Sequence, residues 1–185
     1  MVEFVIHDET NAPTESKSTL EEAKENYNGM IPNVLGVMAE APSLLFTYWE
    51  GGRKFLNSSL TRQEISVVLQ TSNVENNCEY CVPASTMAAI GWEIDEETIT
   101  AMRDETALPS ERLEALRNFT LSVVRDRGVV NDEQLKAFLD AGFNQQNVLE
   151  VVLGVSLKVM SNYTNHIAKT PLDESWAEAA WHRQS

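Results

Sequence analysis

Cys78 and Cys81 are the only cysteines in a chain of 185 residues, and they stand three positions apart in Asn76-Asn77-Cys78-Glu79-Tyr80-Cys81-Val82-Pro83-Ala84-Ser85. Two cysteines scattered at random over that length would rarely fall at this spacing. On a helix, residues three apart share a face, so the two sulfurs can come within disulfide reach. Pro83 locates the helix start, because proline breaks a helix interior but is tolerated in the first turn. The helix is therefore expected to begin near Tyr80, with Cys81 in its first turn. There the unpaired backbone N–H groups and the helix dipole favour an anion, which lowers a thiol pKa and raises the thiolate fraction. On this reading Cys81 is the nucleophile and Cys78 the resolving thiol. Two plainer readings compete: a pair of small buried apolar side chains, or half of a zinc site. A zinc site lacks its second half here, since His7, His166 and His182 show no ligand spacing. No metal and no cofactor are expected.

The elements that must hold this pair are helical almost throughout. Thr14 or Ser16 opens a helix that Asn28-Gly29 ends, after an irregular arm over residues 1–14. Val34 to Ala39 is a short helix, and Ser43 begins a longer one that Gly51-Gly52 is expected to weaken or kink. Thr61 with Glu64 three residues on is a capping box. It favours helix over strand for the β-branched run that follows. Further helices start at Cys78, Asp95, Ser110, Asn131 and Asn144 or Asn147, and Trp176 to Trp181 forms a tail helix within residues 173–183. The whole reads as one all-α domain, residues 1–185, of about eight helices. Trp49, Trp92, Trp176 and Trp181 are widely separated and suit the core or a subunit contact better than one binding surface.

The formal charge is −14, from 28 acidic and 14 basic residues. With no basic stripe, such a surface repels nucleic-acid backbones and anionic membranes. No apolar run reaches the ~18 residues a membrane span needs, and the start of the chain lacks a signal peptide's basic and apolar regions. The expected location is the cytoplasm, where a closely spaced cysteine pair is redox or metal chemistry more often than a structural cross-link.

The run Cys78-Glu79-Tyr80-Cys81-Val82-Pro83-Ala84 resembles the signature of the carboxymuconolactone decarboxylase/alkylhydroperoxidase D-like (AhpD-like) family. Leu60-Thr61-Arg62-Gln63-Glu64, Gly29-Met30-Ile31-Pro32-Asn33 and Asn162-Tyr163-Thr164-Asn165-His166 resemble flanking segments, so the likeness spans roughly residues 5–172. The resemblance implies an all-helical AhpD-like fold that assembles as a homo-oligomer (dimer, trimer or hexamer). It implies hydroperoxide reduction for antioxidant defence: Cys81 becomes a sulfenic acid, Cys78 closes the disulfide, and a thiol or lipoyl-type reductant restores the pair.

The sequence departs from the family pattern at two positions. The family's histidine, four residues after the second cysteine, is Ser85, and its glutamate, twelve before the first, is Ser66. Ser85 can donate a hydrogen bond to a thiolate but cannot take a proton near neutral pH. Glu64, Glu75, Glu79 and His166 are the candidate replacements for the proton relay, each competing with a plain surface or packing role; His7 is read as structural. Tyr80 can shape the pocket or donate a hydrogen bond. The candidate site is thus Cys81, Cys78, Ser85, Glu64 and His166. With the relay altered, a non-catalytic redox sensor or assembly module of the same fold is the alternative to a peroxidase. A decarboxylase needs basic together with acidic residues lining a carboxylate pocket, and the motif region offers no such set.

Overall fold

A computed structural model describes residues 3–183. Among these residues the chain forms nine α-helices and no strand: α1 (Thr14–Asn26), α2 (Asn33–Met38), α3 (Pro42–Leu56), α4 (Arg62–Glu75), α5 (Cys81–Gly91), α6 (Glu96–Asp104), α7 (Glu111–Arg125), α8 (Asp132–Asp140) and α9 (Gln145–Ala168). The all-α expectation holds, with nine helices against about eight. The tail, Glu174–Ala179, is a 3-10 helix. The 3-10 repeat sets Trp176 and Ala179 on one buried side.

Side-chain caps place most helix starts. Thr61 and Glu64 form the expected capping box: Glu64 N–H donates to Thr61 Oγ1 at 3.2 Å and Thr61 N–H to Glu64 Oε2 at 2.8 Å. Asn131 with Gln134, and Asn144 with Asn147, do the same for α8 and α9. Asp95 and Ser110 cap α6 and α7. Each cap is worth about 1 kcal/mol.

α4 is the central helix, packed against α5, α6, α7 and α9 and buried on nearly every side. The main core lies around it and includes the stacked rings of Phe119, Phe138 and Phe143, with successive centroids 4.3 Å apart. A second core, under α1, α2 and α3, takes in Leu20, Leu45, Tyr80, Trp176 and both cysteines.

Two glycines set how closely α9 approaches its neighbours. A Cβ on Gly154 would lie 2.6 Å from Phe55 and 2.7 Å from Val68, and one on Gly51 would lie 2.9 Å from Leu157. Gly51-Gly52 does not interrupt α3: the helix runs unbroken through both residues, with Gly51 against Leu157 of α9. This close packing presses the C-terminal half of α9 onto the cysteines. Among the described residues, no helix is long and apolar enough to cross a membrane.

Candidate active site

The turn between α4 and α5 presents the cysteines. Asn77 adopts a left-handed conformation, φ 52°, one that asparagine tolerates better than most residues. Asn77 N–H donates to Val74 O and Cys78 N–H to Asn73 O, each at 2.9 Å, which is the Schellman pattern for ending a helix. Cys78 is thereby held at the end of α4. The chain then turns directly into α5, with Val82 N–H on Cys78 O at 3.1 Å. Cys81 is the first residue of α5 and Pro83 the third, as the proline argument requires.

The sulfurs divide their partners differently from the sequence expectation. The amide that opens the helix, Cys81 N–H, donates to Cys78 Sγ at 3.4 Å. Cys81 Sγ instead faces α9, where Asn165 Nδ2 donates to it at 3.2 Å and its thiol donates to Ser161 Oγ at 3.7 Å. In the thiolate form the serine hydroxyl can donate in return. Cys78 and Cys81 are free thiols, 0% and 3% exposed.

The thiols differ in acidity. Burial opposes ionisation of Cys81, but the Cys78 thiol, the Lys158 ammonium, Ser161 and Asn162 together hold its pKa below the ordinary thiol value. The hydrogen bond to Cys81 pushes Cys78 the other way, as does burial. These surroundings favour ionisation at Cys81 over Cys78, and the helix-opening amide reaches Cys81 only indirectly, through Cys78.

Behind the thiols runs a ladder of amides. Asn76 Nδ2 donates to Asn162 Oδ1 at 2.9 Å, and Asn162 Nδ2 to Asn73 Oδ1 at 3.0 Å. Asn73 Nδ2 in turn lies 2.8 Å from Ser85 Oγ and 3.1 Å from Cys81 O. Such a network fixes side-chain positions when all its members are satisfied. One polar atom beside Cys81 is not: Asn165 Oδ1 is buried without a hydrogen-bond partner among the described residues. Lys158, 7% exposed, makes no hydrogen bond or ion pair with any described residue.

Lys158 and Ser161 were not singled out in the sequence, and Asn162 and Asn165 entered only within a family-like segment, with no role. A signal was present: Val151, Lys158 and Asn165 are spaced by sevens, so the buried stripe of α9 passes through a lysine and an asparagine.

The other candidates are placed as follows. Ser85 Oγ accepts from Asn73 and makes no hydrogen bond to Cys81. Glu64 is held in the capping box and by Arg112 Nε at 2.8 Å, at the end of α4 away from the thiols. Ser66 bonds back to Arg62 O. Glu75 pairs with Arg125 and Glu79 with His182. His166 is exposed on the last turn of α9. The structure therefore joins Cys78, Cys81 and, through Asn73, Ser85, and leaves Glu64 and His166 outside the group. His7 bonds Glu40 and Asn11, the structural role expected. Tyr80 packs edge-on against Trp176 and donates to Asp173 Oδ2 at 2.5 Å, which ties the tail to α5. Among the described residues, no group of three His, Cys, Asp or Glu side chains could hold a metal ion.

No family model matches the sequence, and no curated protein matches it. Solved structures do. The AhpD core of an uncharacterized peroxidase-related protein from Ralstonia eutropha JMP134 is 17% identical, with 97% of each chain covered and a TM-score of 0.82. An uncharacterized peroxidase-related protein from Silicibacter sp. TM1040 is 18% identical, over 95% of this chain and 92% of that one, with a TM-score of 0.80. The debrominase Bmp8, as a cysteine-to-alanine variant in complex with 2,3,4-tribromopyrrole, is 12% identical, over 97% and 96%, with a TM-score of 0.81. Identities this low speak for architecture and not for activity, and the architecture is consistent across them: the chain has the alkylhydroperoxidase D-like fold.

Proposed function

We propose that the protein is a dithiol peroxidase that reduces hydroperoxides through Cys81 and Cys78. The observation that supports this best is the asymmetry of the two sulfurs: Cys81 Sγ takes an amide donor from α9 at 3.2 Å, while Cys78 Sγ sits on the amide of Cys81 itself. In this mechanism the Cys81 thiolate attacks the terminal oxygen of a hydroperoxide. The O–O bond breaks, the alkoxide leaves and takes a proton, and Cys81 becomes a sulfenic acid. Cys78 then attacks that sulfur, the S–S bond forms, and the hydroxyl leaves as water with the Cys78 proton. A dithiol reductant of small-thiol or lipoyl type reopens the disulfide by exchange.

A protein of the same fold is named a debrominase, so the fold does not by itself select a peroxide as the oxidant. The test is turnover of an organic hydroperoxide with a dithiol reductant. Steady turnover that Cys81→Ser removes supports the peroxidase. One oxidation per dithiol and no turnover supports the second reading, a redox sensor, which the deep burial of both thiols favours.

Self-association belongs to the same proposal. Leu149, Val152, Val159, Tyr163 and Ile167 leave an exposed apolar stripe along α9, with His166 beside it. Covering that stripe with a second copy would remove the exposed surface, and sedimentation would register the oligomer.

A further inference from the structure

We infer that Lys158 is the fixed positive charge that keeps Cys81 a thiolate and the acid that protonates the oxygen leaving it. The inference rests on the dithiol reading of the site. Three observations carry it. Lys158 lies one helical turn before Ser161 and two before Asn165, so it shares the face of α9 that touches Cys81 Sγ. It is 7% exposed, and its ammonium has no hydrogen-bond or ion-pair partner among the described residues. A buried ammonium is costly unless a negative charge faces it, and none of the ion-paired carboxylates is its partner.

The titratable groups near Lys158 are Tyr48 on α3, Tyr27 at the end of α1, and the two thiols. Tyr80 and Asp173 are occupied with each other. A thiol ionises more readily than a phenol, with ordinary pKa values of about 8.5 and about 10. The negative charge that answers Lys158 is therefore on sulfur, and Cys81, with its donors from α9, is the sulfur that carries it. Burial works against the lysine's charge, but Tyr48, Cys81, Cys78 and Tyr27 outweigh it and hold its pKa above the ordinary value.

The proton balance closes. Thiolate, ammonium and hydroperoxide give sulfenic acid, neutral amine and alcohol. Condensation with Cys78 releases water, and two reductant thiols reopen the disulfide. The regenerated Cys81 thiol then passes its proton to the Lys158 amine, which restores the ion pair. Lysine here takes the place of the relay that position 85 no longer provides.

The experiment measures the pH dependence of iodoacetamide alkylation in the reduced parent, Lys158→Met, Lys158→Gln and Lys158→Arg, with circular dichroism to confirm folding. Without the charge, the midpoint should rise by about 1–3 pH units, and the alkylation rate at a fixed pH below it should fall by about tenfold or more. Arginine keeps the charge but cannot give up a proton near neutral pH, so Lys158→Arg should keep the midpoint near the parent's while losing peroxide turnover. Met or Gln variants that fold and titrate like the parent overturn the inference. So does an Arg variant whose midpoint moves as far as that of Met. Alkylation needs no peroxide, so the two proposals fail separately. A lysine-dependent midpoint without turnover sinks the peroxidase and the acid role but leaves the charge role standing, turnover with a lysine-independent midpoint sinks only the role of Lys158, and parental turnover in Lys158→Arg sinks the acid role alone.

Discussion

The two ends of α4 bury polar side chains to a similar depth and use them differently. At the N-terminal end Glu64, 5% exposed, accepts from Thr61 N–H and Arg112, whose guanidinium also lies over the Phe143 ring. The charge is answered and the cap is complete. At the C-terminal end Asn73 feeds a network that stops short beside Cys81, where Lys158 and Asn165 Oδ1 are left without hydrogen-bond partners among the described residues. A completed polar cluster costs little and fastens helices together. An incomplete one is costly, and its persistence next to the dithiol marks the end of α4 where chemistry is to be sought.

Substitutions can break this comparison from either side. The largest effect on activity is expected from Cys81→Ser, which should reduce peroxide turnover to background and leave the melting temperature nearly unchanged. Gly154→Ala should cost about 1–3 kcal/mol by overpacking α9 against Phe55 and Val68, seen as a melting temperature lower by several degrees. Because it lifts α9, it should also slow Cys81 alkylation. Glu64→Ala acts at the completed end. Losing a buried cap and ion pair should cost about 1–3 kcal/mol, with an alkylation profile that overlays the parent's. Asn165→Leu reverses that pattern: removal of one donor to sulfur should raise the alkylation midpoint by about one unit with a smaller change in stability. The smallest change is expected from Ser85→His. A restored relay would add on the order of 10²-fold or more to turnover. Since Ser85 is turned to Asn73, we expect less than about tenfold.

Much of the scaffold was legible in the sequence because its signals are local. The capping boxes at Thr61, Asn131 and Asn144, and the proline limit on the start of α5, each depend on a few adjacent residues. The dithiol was legible for the same reason. What stayed hidden depends on packing. Asn165 lay within a segment already recognised as family-like, and Lys158 reads as an ordinary helical lysine until the close contact at Gly154 fixes which face of α9 is buried. The proline limit on α5 did not reveal where each sulfur finds its partners: the opening amide goes to Cys78, and Cys81 Sγ takes its amide donor across the helix interface. The glutamates near the motif were legible as charges, but their arginine and histidine partners come from distant parts of the chain.

The proposed chemistry requires one buried sulfur to be ionised while its neighbour is not. Thiolate absorbance of the reduced protein, followed against pH, tests this directly. A lowered pKa at Cys81 and a raised one at Cys78 predict two separated steps: one thiolate already formed well below the ordinary thiol value of about 8.5, and the second only well above it. A single step near that ordinary value, with both sulfurs ionising together, would contradict the account.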